Sequence, residues 1–262
     1  MSESVLVDKR DGYHILTLNR PDRLNSFSAE MHGALMAALV GAEADANCRV
    51  ILLRGAGRGF SAGQDLAEVQ PKPGETPNLA TTIDAHYNPL IRKLRALPLP
   101  VVCAVNGIAA GAGANIALSC DIVIAARSAK FLQAFAKIGL IPDSGGTWLL
   151  PRLAGDARAR GMALLGEPLP AETAERWGMI WKCVDDDALV DEATAVCEQL
   201  ARAPTGALAA IKLALDAAAG NSLSAQLDLE RDVQYRLGLT HDYQEGVAAF
   251  MEKREPKFKG RG

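Results

Sequence analysis

Residues 101–150 carry two loops built almost without side chains, and few folds accommodate both. The first follows an apolar run, Val101–Val105, and from Gly107 to Ala114 only Ile108 is larger than alanine. Backbone free of Cβ bulk can approach another surface closely. The N–H groups of Gly111, Ala112 and Gly113 can then converge where a helix begins, the place at which a carbonyl or an anion is held. The second loop begins with a carboxylate, Asp143, and continues as Ser144-Gly145-Gly146. Taken singly, each loop reads as a tight turn. A chain folded so that the two meet has assembled a polar site largely from backbone.

Around these loops strands and helices alternate. VLVDKR and YHILTLN flank Asp11-Gly12, and a DG pair between β-prone runs suits a type I′ hairpin turn. Ser28 can cap a helix whose apolar positions Met31, Leu35, Leu39 and Ala42 recur at helical spacing, and 50–53 reads as a short buried strand. QPKPGETPN, at 70–78, reads as a mobile surface loop able to cover a site. Ile83, Tyr87, Leu90, Ile91, Leu94 and Leu97 mark an amphipathic helix stopped by Pro98 and Pro100. A strand to Val105, the glycine turn, a short helix over 113–119 and a strand over 121–125 follow. From Asp156 onward the signals are nearly all helical. Pro170 opens one helix with Gly178 past its end, and 189–200, 207–218, 223–237 and 243–250 suggest four more. Such an Ala- and Leu-rich tail suits packing against a neighbouring subunit.

Composition removes several function classes. Apolar residues make up 49% and charged residues 23% of the chain, and no apolar run approaches the roughly 18 residues of a membrane span. MSESVLVDKR lacks the apolar segment of a signal peptide, so a cytoplasmic location with no membrane partner is expected. The five cysteines and four histidines are scattered, without a CxxC pair or metal-ligand spacing; the thiols read as reduced core residues, and no metal is expected. A net charge of −3 argues against a nucleic-acid partner, although KREPKFKGRG is locally basic. Gly55, Gly57 and Gly59 follow a strand as GxGxG, but Phe60 stands where a dinucleotide fingerprint needs its third glycine; Gly111 and Gly113 fail likewise at Ile116.

FSAGQDL at 60–66, NGIAAGAGANIALSCD at 106–121 and GLIPDSGGTWLLPRLAG at 139–155 resemble the enoyl-CoA hydratase/isomerase superfamily, the crotonase fold. The likeness runs from RPDRLNSFS to the FMEKREPKF tail. It implies an α/β fold: a crotonase-like spiral of repeated ββα units carrying the active site in 1–200, followed by a C-terminal helical oligomerisation region in 201–262. It also implies an acyl-CoA substrate, with coenzyme A entering as part of the substrate and no prosthetic group, and a homotrimer or a dimer of trimers. The oxyanion donors of the family carry over to the N–H groups of Gln64 and Ala112. Removing a proton beside a thioester generates an enolate, and each fixed donor in a dry pocket typically lowers such a barrier by about 2.7 to 4 kcal/mol.

Hydratases of the superfamily place two glutamates about a water molecule. Here Asn115 and Phe135 stand at those positions; an amide cannot act as a carboxylate base, and Phe135 can only shape the pocket. Asp143 sits where several isomerases of the superfamily carry their acid/base carboxylate. Within the superfamily the chain is most similar to the ring-epoxide isomerases of bacterial phenylacetate catabolism. That similarity implies conversion of 2-(1,2-epoxy-1,2-dihydrophenyl)acetyl-CoA to its oxepin by proton transfer through an enolate. An enoyl-CoA hydratase, a double-bond isomerase of fatty-acid oxidation and an inactive CoA-binding member remain alternatives.

The local sequence keeps a second reading of Asp143 open. Asp before Ser-Gly-Gly-Thr suits a helix N-cap, which lowers a carboxyl pKa, whereas a base for a weakly acidic C–H bond needs an apolar wall that raises it. Phe131, Phe135, Ile138 and Leu140 are candidates for that wall or for core. Asn115 either orients substrate or finishes its turn, and His86 either faces ligand or packs. Asp121 and the three tryptophans read as structural, the latter as packing. For coenzyme A, the resemblance implies Arg23 and Leu24 beside the phosphates and pantetheine, and Ala62, Asp65 and Leu66 near the adenine. It also implies Phe250 and Lys253 reaching the 3′-phosphate from an adjacent subunit.

Overall fold

The computed structural model describes residues 3–68 and 78–260. Among the described residues ten strands form two sheets. They are β1 (Val5–Arg10), β2 (Tyr13–Leu18), β3 (Val50–Gly55), β4 (Gly59–Ser61), β5 (Val101–Val105), β6 (Ile108–Ala110), β7 (Ile122–Ala126), β8 (Lys130–Leu132), β9 (Leu169–Pro170) and β10 (Lys182–Val184). The larger sheet has the order β1-β2-β3-β5-β7-β10 and the smaller one β4-β6-β8-β9. Apart from the β1–β2 hairpin and the β8–β9 pair, every pairing is parallel. Three successive strand pairs, β3–β4, β5–β6 and β7–β8, therefore each send a first strand to the large sheet and a second to the small one. Helices follow each pair, so the chain winds as repeated ββα units.

The helices are α1 (Ala29–Ala44), α2 (Leu79–Thr82), α3 (Asn88–Ala96), α4 (Ala112–Leu118), α5 (Gly146–Ala154), α6 (Asp156–Leu165), α7 (Ala171–Arg176), α8 (Leu189–Ala201), α9 (Thr205–Ala218), α10 (Leu223–Gly238) and α11 (His241–Glu252). Ser28 caps α1 by accepting the Met31 N–H at 3.1 Å, and Met31, Leu35, Leu39 and Ala42 are buried beneath it as their spacing predicts. Between α2 and α3, Ile83–Tyr87 forms a single π-helical turn. Every residue of β5 is buried, as a parallel strand covered on both faces requires. No helix among the described residues is long and apolar enough to cross a membrane.

The structure differs from the sequence-based expectations at several points. In the hairpin only Gly12 has a positive φ, +79°, whereas a type I′ turn needs two such residues; its missing Cβ lets Ala201 approach, since an added Cβ would lie 2.8 Å from that of Ala201. The first glycine loop contains a strand, β6, and the helical second half contains β9 and β10. These strands are two or three residues long, too short to show a period-2 pattern. Of the three tryptophans expected to pack, Trp177 packs against the core and Trp148 lies beneath the Arg152 guanidinium at 4.0 Å, whereas Trp181 is 71% exposed. The expected covering loop at 70–78 lies outside the described residues except for Asn78, which caps α2. Asp121 is structural as expected, accepting from the Val101 N–H and from Lys212, each at 2.8 Å.

Candidate active site

Two loops meet at the ends of β4 and β6, and a third, farther along the chain after β8, is tied to them through Asn115. Gly63 has φ +88°, and a Cβ there would lie 2.8 Å from the Ala110 carbonyl oxygen and 3.4 Å from the Ala112 nitrogen. Gly113 is pressed equally hard against the other side of the same loop, where a Cβ would meet Ser61 at 2.7 Å. The SAGQD and GAGAN segments thus meet because neither carries a side chain at the crossing. Residues 63–65 are zipped to Phe27: the Phe27 N–H donates to the Gly63 carbonyl at 2.7 Å, and the Asp65 N–H donates to the Phe27 carbonyl at 3.0 Å. A parallel bridge of this kind uses the peptide groups flanking Gln64 and turns Gln64's own N–H to the opposite side. Ala112 is the first residue of α4, where an N–H has no intrahelical acceptor. Among the described residues neither N–H donates to a protein acceptor.

The third loop brings the carboxylate. Asp143 does not cap α5: the cap residue is Gly145, with φ +79° and no side-chain bond, and only the Asp143 backbone carbonyl accepts the Gly146 N–H. The Asp143 carboxyl instead accepts the Ser144 hydroxyl at 2.9 Å, from a residue held at φ +49°. Burial pushes this carboxyl above its ordinary range, and the Ser144 bond opposes that shift without cancelling it. Of the proposed apolar wall, Phe131 and Phe135 are buried, while Ile138 and Leu140 are exposed. The Phe135 ring faces the first loop, 3.6 Å from where a Gly111 Cβ would stand.

Asn115 is fully buried, and both ends of its amide are taken by protein. It donates to the Asp143 carbonyl at 2.8 Å and accepts from Gln133 at 2.8 Å. It therefore acts on the site by tying the helix that carries Ala112 to the loop that carries Asp143. Gly146 makes room for this tie, since a Cβ there would lie 2.4 Å from the Asn115 nitrogen.

Arg23, Leu24, Ala62, Asp65 and Leu66 lie on two adjoining loops. The Ala62 N–H donates to the Leu24 carbonyl at 2.8 Å, and Asn25, itself at φ +53°, ties the first loop to the Ala56 and Gly59 carbonyls. Asp65 is bound to Arg20 at 2.9 Å. Burial alone would raise its carboxyl, but the Arg20 bond, the Ala67 amide and the charges of Arg20 and Arg23 hold it below the usual carboxylate range. Phe250 and Lys253 stand apart at the end of α11, and Phe250 is 82% exposed. Phe250 lines an apolar cavity of about 410 Å³ with residues of α9, α10 and the C-terminal segment, away from the three loops.

Tyr87 and Gln133 contact the site although no local pattern in the sequence marks them. Tyr87 looks like one apolar position of an amphipathic stripe, yet its hydroxyl donates to the Gln64 side chain at 2.8 Å, and that side chain in turn donates to the Phe27 and Asp65 carbonyls. His86 packs rather than standing free, stacked on His32 at 5.2 Å. Only the π turn, invisible in a 3.6-residue pattern, distinguishes this part of the helix.

The comparisons with known proteins agree with this architecture. The model of the family described as "Enoyl-CoA hydratase/isomerase" matches residues 8–261. The 1,2-epoxyphenylacetyl-CoA isomerase of Escherichia coli (strain K12) is 56% identical over 262 residues, covering 100% of both chains. A probable enoyl-CoA hydratase of Rhodobacter capsulatus is 49% identical over 251 residues, 96% of each chain. Among solved structures, a putative enoyl-CoA hydratase/isomerase from Mycobacterium abscessus superposes with a TM-score of 0.92 at 38% identity, covering 98% of this chain and 100% of that one.

Proposed function

Because the chain belongs to the enoyl-CoA hydratase/isomerase family, we propose that it is an acyl-CoA isomerase whose substrate is 2-(1,2-epoxy-1,2-dihydrophenyl)acetyl-CoA and whose product is the oxepin thioester. The observations that carry this reading are two unpartnered N–H groups, Gln64 and Ala112, on touching loops, and a carboxyl, Asp143, which burial pushes above its ordinary range and whose loop Asn115 ties to the helix of Ala112. The thioester oxygen lies between the two donors. Asp143 takes a proton from the carbon beside the thioester, and the electron pair moves onto that oxygen, where the donors stabilise it. The carbon–carbon bond shared by the epoxide and the six-membered ring breaks as its electron pair joins the ring double bonds, which opens the seven-membered oxepin. As the enolate collapses, the same carboxyl returns the proton to a ring carbon of the conjugated system. Composition is unchanged, as an isomerisation requires.

Hydration asks for a second acid/base group to activate water. Asn115 is enclosed and Phe135 is apolar, so neither supports that route. Coenzyme A runs along the loops of Arg23, Leu24, Ala62, Asp65 and Leu66. Phe250 and Lys253 of an adjacent subunit reach its 3′-phosphate in a homotrimer or dimer of trimers; exposed apolar residues along α9–α11, among them Leu215, Leu223 and Tyr235, support burial against another copy. The discriminating experiment offers the purified protein the ring epoxide thioester and crotonyl-CoA. Turnover of the epoxide with slow or no hydration is expected. Rapid hydration without epoxide turnover contradicts the proposal.

A further inference from the structure

Tyr87 is an expensive residue for a helix core. Its side chain is 98% enclosed by protein, at 2% exposure, so its hydroxyl must find a partner inside. That partner is Gln64, whose backbone N–H is one of the two unpartnered donors. The Gln64 peptide is fixed through Phe27, and its side chain through Tyr87, the Phe27 carbonyl and the Asp65 carbonyl. The Tyr87 ring is held as tightly, edge-on to His32 at 4.4 Å and 6.4 Å from Phe27, with His32 against Phe27 at 4.8 Å. Burial first, and then the charges of Asp143 and Glu68, push this phenol well above its ordinary range, so it stays a hydrogen-bond donor.

We infer that Tyr87 is a positioning residue for the oxyanion donor: held by the Phe27–His32 aromatic cluster, its hydroxyl fixes the Gln64 side chain and so aims the Gln64 N–H. This rests on the proposed role of that N–H. A backbone donor on a loop is as well aimed as the loop is rigid, and a displacement of about 1 Å near a reacting centre can lower a rate about 100-fold. Tyr87→Phe keeps the ring and its contacts while removing the tie.

The test measures kcat, KM and thermal midpoint for the full-length protein, Tyr87→Phe, Gln64→Met and the double variant, with the ring epoxide thioester as substrate. The carbonyl stretch of a bound, unreactive acyl-CoA, read by infrared difference spectroscopy, reports donor alignment directly. Tyr87→Phe is expected to lower kcat about 10-fold or more, leave KM within about twofold, and shift the carbonyl band toward its position in water. Because both single changes break one tie, the double variant should be no slower than the slower single variant. Wild-type kcat and band position in Tyr87→Phe, or fully additive losses in the double variant, overturn the inference. If Tyr87→Phe does not fold, an unshifted band in Gln64→Met overturns it equally. Failure of the underlying reading looks different: the wild-type protein itself then neither turns over the thioester nor shifts its carbonyl band.

Discussion

Gly63→Ala tests whether the site depends on two backbones touching. Gly63 adopts φ +88°, and a Cβ there would sit 2.8 Å from the Ala110 carbonyl oxygen, a distance real Cβ atoms essentially never show. The obstacle is backbone on β6, so it cannot swing aside as a side-chain tip would. Two effects follow. Holding alanine in this conformation costs on the order of 1 to 3 kcal/mol, a fall in melting temperature of roughly 2 to 9 °C for a chain of this size. Relieving the contact moves the loop of Gln64 from the loop of Ala112 by several tenths of an ångström, and kcat falls about 10- to 100-fold. Gly155→Ala separates the two, because Gly155 has φ +83° with nothing within 4 Å of its would-be Cβ. Both variants should melt lower in calorimetry, while in a thioester isomerisation assay only Gly63→Ala should lose rate. Equal kcat in the two, after scaling to folded protein, refutes the contact argument.

Further outcomes are expected for His32, Lys212 and Asp143. His32 is buried with both ring nitrogens unpartnered among the described residues, and burial first, then the neighbouring His86, hold its pKa down at about 4. Its folded pKa lies below the unfolded value, so its share of stability is present above about pH 6.5 and lost as pH falls toward 4, up to about 3 kcal/mol. Denaturant titrations of His32→Phe should lack that acid-side loss. Lys212 ties α9 to Asp121 and to the Leu94 carbonyl, each within hydrogen-bonding distance; Lys212→Met leaves the partly buried Asp121 carboxyl with the Val101 N–H but without its ion pair, with an expected loss of about 1 to 3 kcal/mol in urea unfolding. Because burial raises Asp143 and the proposed reaction needs it ionised, kcat should fall on the acid side at a pH above the ordinary carboxylate range. The same shift means the folded state takes up the proton more readily, so Asp143→Asn should be more stable than wild type above that midpoint.

The ββα order, the α1 face and the helical tail were legible because each rests on a repeated local pattern: Met31, Leu35, Leu39 and Ala42 lie buried where their spacing puts them. The glycine loops were legible as close approaches, and the approach of Gly63 to Ala112 accounts for them. What stayed hidden depends on contacts between distant segments. Asn115 shows its amide in the sequence but not that Asp143 and Gln133 use both ends of it. Tyr87 reads as apolar because five of its neighbours in the stripe are, and its hydroxyl finds Gln64 only through tertiary folding. The N-cap reading of Asp143 failed because Ser144 and Gly145 both take positive φ, which turns the carboxyl away from the start of α5.

The most direct test of the account is the rate at which Asp143→Asn isomerises the ring epoxide thioester. Asparagine keeps the size of the side chain and can still accept from Ser144, but it cannot take the proton. The account predicts a kcat lower by about 100-fold or more. Asp143→Asn turning over at the wild-type rate contradicts it.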